Sequence, residues 1–546
     1  MRWKPAIVLL CAIACGDKVP AETADTETDP PAGDCGVLAS AVVSERADTP
    51  LAMTFTATTS VATTVAVSWT NEDHTHTVSV DFSEATDHRH TLLGFRPGQG
   101  YTVTMSFSGA SCASEATVEI NTEALPPYFP KIELVVEASA TVAPGETLVA
   151  MRTPANVFPG PAEITAVIDF EGNIVWWKDV LGFNQDALER ESGLLLTLNG
   201  TGEEAQGFEW KWSGEMTRSW SVDPNIAPPG IVVDAASGRR FHHDFAIVAG
   251  ASEFVALMRY DLPVQNWPAD YEDESVKADA VIADDVFVHF SEAGAILSET
   301  LLSDLLPVTR IGYDSLETVD DGWKDWAHAN AIEMDLDGHI IASLRHLDCV
   351  IKFDPVTKKL DWILGNHDNW PAEYLPYLLE PSGPDFRWAY HQHGSGRNRL
   401  DPAVVSVTMF DNGNWQASPF TGDPIDTSPR SRLVQFTIDE DAMTVTQDWS
   451  YEETEVGPLY SLAVGEHDVL DNGNSLGTFG FLTGDKDGTN VEKGWGADSA
   501  RIIELDPVSG REQWHIHLYS EGADNPDGWT AYRSHRIAAV TGRKVE

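Results

Sequence analysis

Five histidines, His243, His328, His393, His467 and His535, each precede an apolar strand pattern, and Gln185 takes the same place once. A neutral imidazole is a nucleophile near pH 7, an imidazolium is a proton donor, and either ring nitrogen can hold a transition metal. His393 lies in "RWAYHQHGSG", one residue beyond His391. Arg345 ends the apolar run "HIIASLR". A guanidinium there is costly to bury without an anion to meet it. Histidines beside Arg345 suit a tetrahedral oxyanion, held by local positive charge. No metal is expected. No carboxylate or cysteine shares the histidine register, and Arg345 repels a cation. The bland alternatives are that each histidine caps its own strand and that Arg345 pairs with a carboxylate.

An internal repeat sets that register. From about residue 160 a hairpin with a polar or Gly turn recurs six times, as in "AVIDFEGNIVWW" and "VIKFDPVTKKLDWIL". It alternates with a histidine, a gap and an apolar strand, as in "HDFAIVAGASEFVALM" and "HANAIEMDLDGHIIASL". Six copies of a short four-stranded unit cannot bury their faces singly, and radial stacking closes them as a six-bladed β-propeller. The chain is therefore expected to be all-β, with the propeller over 126–546. Equivalent residues of each blade face one axis, so the five histidines and Gln185 should meet at one mouth. His393 precedes its strand at Ala403 by the same interval, to within one residue, as His243 precedes Phe254 and His328 precedes His339. His391 falls outside that register and reads either as a residue that supports the reacting groups from behind or as a rim residue, one whose loss leaves the chemistry largely intact.

Residues 35–125 alternate Thr, Val and Ser with apolar residues, as in "TTVAVSW" and "YTVTMSF". They read as a small immunoglobulin- or fibronectin III-like β-sandwich, a spacer or docking module. Cys35 and Cys112 bracket it and are expected to pair in an oxidising compartment. Cys349, in "CVIKF", reads as a core thiol. The start, "MRWKPAIVLLCAIACGD", has the charged and apolar regions of an export signal over 1–14. "AIAC" resembles a bacterial lipobox and implies lipidation at Cys15, with 15–34 an acidic tether. The chain is thus expected to be exported and lipid-anchored in a bacterial cell envelope, in the periplasm or at the cell surface. A net charge of −50 argues against nucleic acid and anionic membrane surfaces as partners.

Several segments together resemble the bacterial arylsulfotransferase family, the type that does not use the nucleotide sulfate donor. They are "DWAHANAIEMD", "IIASLRHLDCVIKFDPVTKKLDWILG", "QHGSGRNRLDPAVVSVTMFDNGN", "HHDF" and the closing "YRSHRI". The resemblance spans most of 126–546 and carries the same order of a β-sandwich and a six-bladed propeller. It implies sulfuryl transfer from a phenolic sulfate ester to a phenol, by a ping-pong route through a sulfohistidine at His393. By the same resemblance His243, His328, Asn330 and Arg345 hold the sulfuryl oxygens. On chemical grounds a neighbouring imidazolium, His328 or His243, can protonate the leaving phenolate. His467 joins them as a substrate-binding residue. Trp326, Trp388 and Tyr390 could stack on an aryl ring or pack the core. No cofactor is implied, and the partners are a small aryl sulfate donor and a phenol acceptor. The resemblance admits a homodimer without fixing an oligomeric state. Arg397 and Arg399 have no place in the family pattern. The competing expectation is a non-catalytic, lipid-anchored propeller that binds a ligand or a protein.

Overall fold

The computed structural model describes residues 33–36, 42–46, 49–153, 163–180, 182–200, 206–223, 230–236, 239–248, 250, 252–319, 322–421, 430–452, 459–482, 498–520 and 528–545. The expected leader, Cys15 and most of the tether lie outside them. Among the described residues the chain is all-β but for one four-residue helix, Leu302–Leu305, and one 3-10 turn, Leu375–Tyr377.

The N-terminal strands join through Met53–Asn71. Its side chains alternate, with Val65, Val67 and Trp69 buried and Thr64 exposed, the period of a half-buried strand. Its first residues pair Val42–Glu45, its last pair Gly100–Gly109, and Thr77–Leu92 runs along it. Register shifts between Thr58 and Thr63 lie where the long strand changes partner, as bulges do when a strand turns a corner. The Cys35–Cys112 disulfide ties the chain before these strands to Cys112–Asn121.

Six further sheets follow. Their innermost strands are Phe183–Glu189, Arg240–Ile247, Ala329–Met334, His393–Arg397, Glu466–Val469 and Thr530–Ile537. Each adjoins the next, and Thr530–Ile537 adjoins Phe183–Glu189, so the strands form a closed ring. Middle strands such as Ile340–Leu344 and Ser475–Leu482 are buried along their whole length, because neighbouring sheets cover both faces. The first and last strands of the ring close it. Thr530–Ile537 pairs Glu146–Arg152 and becomes the inner strand of the earliest sheet of the ring. Lys131–Val136 pairs Arg511–Tyr519 at the outer edge of the last.

The N-terminal unit is seated on this ring. Arg96 Nη2 meets Asp169 at 2.8 Å and Glu171 at 2.6 Å. Ala52 and Leu93 pack with Leu148, Ile537 and Val540. Gly94, at φ 103°, lies against Thr541 so closely that a Cβ would come within 2.6 Å of it. Cys349 is buried in the fourth sheet, and burial pushes its thiol up to about 12, so it is inert packing.

Candidate active site

Inner strands bring three imidazoles together. His243 lies within Arg240–Ile247, His328 just precedes Ala329–Met334, and His393 opens His393–Arg397. Register shifts at Phe241/Phe245, Ala329/Ala331 and His393/Gly396 re-aim side chains where these strands enter the ring. His243 and His328 have φ 53° and 51°, a region that β-branched residues avoid. Their ring centroids are 4.5 Å apart. The Tyr532 ring lies 6.4 Å from His243 and 6.4 Å from His393.

His393 is buried and its tautomer is fixed by its neighbours. Asn412 donates through Nδ2 to the carbonyls of Ser461 at 2.9 Å and Val464 at 3.0 Å, so its Oδ1 must face the imidazole. That oxygen accepts from His393 Nδ1 at 2.7 Å. The proton therefore sits on Nδ1, and the Nε2 lone pair faces the Val464 N–H at 3.2 Å. Val464 is β-branched yet has φ 55°, and such strain concentrates at functional positions. Burial first, then Arg345 and His328, hold the His393 pKa well below 6.5. The ring is therefore neutral at neutral pH, with its lone pair on Nε2.

His328 is oriented from the other side. Its Nδ1 bonds Asp325 Oδ2 at 2.5 Å, so any proton exchanged with a substrate passes through Nε2. Burial pushes the Asp325 carboxyl up, but His328 and His346 outweigh it and hold it well below the usual range. His346 stacks on His328, with centroids 4.6 Å apart. Its Nδ1 donates to the Asp325 carbonyl at 2.6 Å, and its Nε2 accepts from Arg345 Nη1 at 2.7 Å. His243 Nδ1 meets His242 Nδ1 at 2.9 Å. Burial, then the facing His328, hold the His243 pKa well below 6.5.

Arg345 is almost fully buried and has one distant carboxylate, Asp314 Oδ2 at 3.4 Å. Its Nε has no hydrogen-bond partner. A buried donor left over is what an incoming anion satisfies. Asn330 is fully buried, gives Nδ2 to the Gln392 carbonyl at 2.8 Å, and leaves its Oδ1 without a partner. Asp325, His328 and His346 also bring ligand atoms within 4.8 Å of one another. Both ring nitrogens of His346 are already engaged, Nδ1 with the Asp325 carbonyl and Nε2 with the Arg345 cation, which leaves that trio poorly suited to a metal ion.

Sequence reasoning missed Arg533. Its guanidinium sits inside the ring against three buried carboxylates from three inner strands. Asp186 lies at 2.9 Å, Asp244 at 3.1 Å and Glu466 at 2.9 Å. It also donates to the Asn330 carbonyl at 2.8 Å. Burial opposes the charge, but Asp244, Glu466 and Asp186 raise the Arg533 pKa well above its ordinary value. Tyr532, Asp325, His346 and Asn412 were also not singled out, although each lies inside a segment already quoted.

The structure corrects the expected ring in three places. His467 does not join the cluster. Its Nδ1 donates to the Val434 carbonyl at 3.2 Å, its Nε2 meets Ser475 Oγ at 3.1 Å, and burial pushes it down to about 4. His535 is held between Asp468 at 2.7 Å and Asp186 at 3.1 Å, and Gln185 is buried. Tyr532, three residues before His535, takes the mouth position, because the shift at Ala531/Ser534 breaks the count. Of the two places expected for His391, the structure gives it the supporting one and not the rim. It is fully buried, with Nδ1 on Asp348 at 2.8 Å and Nε2 on Asp314 at 3.2 Å. Trp326 is core, its indole N–H on the Arg310 carbonyl. Arg397 ends its strand and Arg399 lies just past it, paired with Asp335 and Glu333 respectively. A cavity of about 380 Å³ there is lined by Glu333, Arg397, Arg399 and His467, and does not border the imidazole cluster.

A family model described as arylsulfotransferase (ASST) matches residues 157–533, more than two thirds of the chain. The arylsulfate sulfotransferase AssT of Escherichia coli is 24% identical over 346 residues, covering 55% of this chain and 54% of that protein. The chain thus spans about half the length of that curated relative. Among solved structures, a Bacteroides caccae protein of unknown function has a TM-score of 0.39 at 11% identity, covering 71% of this chain and 98% of its own. A hypothetical selenium-binding protein from Sulfolobus tokodaii has a TM-score of 0.34 at 10% identity, covering 83% and 92%. Likenesses this distant carry no weight for function.

Proposed function

Since the chain belongs to the arylsulfotransferase family, we propose that it moves a sulfuryl group from an aryl sulfate to a phenol by way of a sulfohistidine at His393. The observation that carries this is the locked, neutral His393 imidazole in a cluster whose Arg345 keeps an unpartnered buried N–H.

The steps balance as follows. The His393 Nε2 lone pair leaves the Val464 N–H and attacks sulfur, and the S–O bond to the aryl group breaks. The phenolate departs with the electron pair and takes a proton from the His328 imidazolium through Nε2. Its Nδ1, on Asp325, keeps the ring in place. Charge spread over the three sulfuryl oxygens meets Arg345 and the neighbouring imidazoles, and pre-set donors of this kind supply most of the rate enhancement. An acceptor phenol then gives its proton to His328, its oxygen attacks sulfur, and the N–S bond breaks to restore His393. Asn330 positions the Gln392–His393 backbone through its bond to the Gln392 carbonyl.

The closed ring of six sheets supports a six-bladed propeller over the larger part of the chain, preceded by a β-sandwich unit. Export and lipid anchoring through Cys15 remain part of the proposal, supported by the leader sequence. Incubation with 4-nitrophenyl sulfate and a phenol, followed by intact-protein mass spectrometry, tests the chemistry. A sulfuryl adduct is expected on the wild type and not on His393→Asn. Folded wild-type protein that neither releases nitrophenol nor gains the adduct would point to the non-catalytic alternative.

A further inference from the structure

An aromatic wall stands beside the cations, and no step above uses it. Tyr313 and Trp415 stack with centroids 5.2 Å apart and 27° between planes, and Tyr271 lies 5.2 Å from Tyr313. The Trp415 indole N–H donates to Asp314 Oδ1 at 3.1 Å. The other oxygen of that carboxylate faces Arg345 and His391. One carboxylate therefore fixes both the edge of the indole and the guanidinium.

The loop is built to present that ring. Asn414 and Ala417 are buried, while Trp415 between them is partly exposed. Trp415 and Gln416 have φ 62° and 48°, left-handed conformations that bulky residues rarely adopt. The loop is pinned on three sides. Asn414 Nδ2 donates to the Leu462 carbonyl at 2.9 Å, Ser418 Oγ to Asn366 Oδ1 at 3.1 Å, and the Phe420 N–H to the Tyr271 carbonyl at 2.8 Å. A strained, immobile backbone that lifts an aromatic face out of a buried segment points to a ligand with a flat ring, which such a pre-set face binds at little entropic cost.

We propose that Trp415, seated on Tyr313, is the platform for the aromatic ring of the substrate while Arg345 holds its sulfuryl group, and that it sets a preference for aryl over alkyl sulfates. The proposal rests on the transfer reaction above. Trp326, Trp388 and Tyr390 are not needed for it.

Two measurements separate the platform from the reaction. In steady-state transfer from 4-nitrophenyl sulfate, Trp415→Leu should raise KM at least tenfold with kcat within about twofold. Trp415→Phe, which keeps a ring but loses the bond to Asp314, should stay within about threefold of wild type. Equal loss of kcat in both variants would mean that Trp415 only steadies Asp314, and unchanged KM in both would also overturn the proposal. Equilibrium dialysis against 4-nitrophenol, which has no sulfuryl group, reads the platform even if the wild type transfers nothing. Retention that falls in Trp415→Leu and persists in Trp415→Phe supports it, and equal retention in all three proteins overturns it. Should Trp415→Leu fail to fold, Trp415→His gives the same comparison with reduced stacking area.

Discussion

Asn412 Oδ1 and His393 Nδ1 stand 2.7 Å apart, on an amide whose other end is tied to two backbone carbonyls. Asn412 cannot turn over without losing both ties, so it dictates which imidazole nitrogen carries the proton. Replacing it by Ala leaves a buried N–H without an acceptor, at about 1–3 kcal/mol, or roughly fivefold to a hundred-and-fifty-fold in rate if the tautomer is lost. Asn412→Ala should therefore slow adduct formation by that factor while a denaturant curve shows it still folded. An unchanged rate would mean that the tautomer is set elsewhere.

The burial of His391 changes what its loss should do. Burial opposes its charge, but Asp348, and then the bond to Asp314, raise its pKa above 6.5. His391→Asn takes a cation from between two buried carboxylates, a change that costs about 3–5 kcal/mol in comparable buried pairs. The urea midpoint should drop accordingly, and Arg345, which shares Asp314, should hold anions less well. A midpoint equal to wild type would mean that the pairs with Asp348 and Asp314 contribute no stability.

Arg533 has three carboxylates to satisfy, and no other Lys or Arg among the described residues bonds Asp186, Asp244 or Glu466. Arg533→Met leaves them facing one another, so the loss should be at least about 3–5 kcal/mol. Arg533→Met combined with Asp244→Asn should recover part of it, because one repelling charge is gone. Thermal unfolding of both variants beside wild type measures this, and no recovery in the pair would count against the triad as drawn.

Six buried histidines shift in two directions. His243, His346, His393 and His467 are held below 6.5, chiefly by burial. As pH falls through their unfolded value, the unfolded chain binds more protons than the folded one, so acid destabilises. His391 and His535 are raised, because carboxylates outweigh burial. Their contribution is fully present below the unfolded value and is lost as pH rises through the folded one. The urea midpoint should decline on both sides of neutrality, and His535→Gln should flatten the alkaline side alone. A wild-type midpoint constant from pH 6.5 to about 9 would contradict the ion pairs of His391 and His535.

Strand patterns made the all-β character legible, because alternation and turn residues are local signals. The motifs around His328, Arg345 and His393 led to residues that do converge. The register of His467 and His535 was not legible. It was counted from downstream strands, and bulges at the ring entrance change the count by two or three residues without any mark in composition. Arg533 and Asn412 were hidden for another reason. Their importance lies in partners hundreds of residues away for one, and in two backbone carbonyls for the other, and a linear pattern records neither. His391 sat in plain view, but its two carboxylates come from separate loops.

Thr530–Ile537 pairs Glu146–Arg152 across 378 residues at Thr530 and Arg152. It also supplies Tyr532 and the guanidinium that answers three carboxylates. The earliest sheet of the ring therefore borrows its inner strand from the far side of the sequence. Contacts of such long separation are slow to form, so the six sheets gain their closure together rather than one at a time. The same strand that seals the circle carries the groups at its centre, and loosening the seam would disperse the imidazole cluster before any single sheet unfolds.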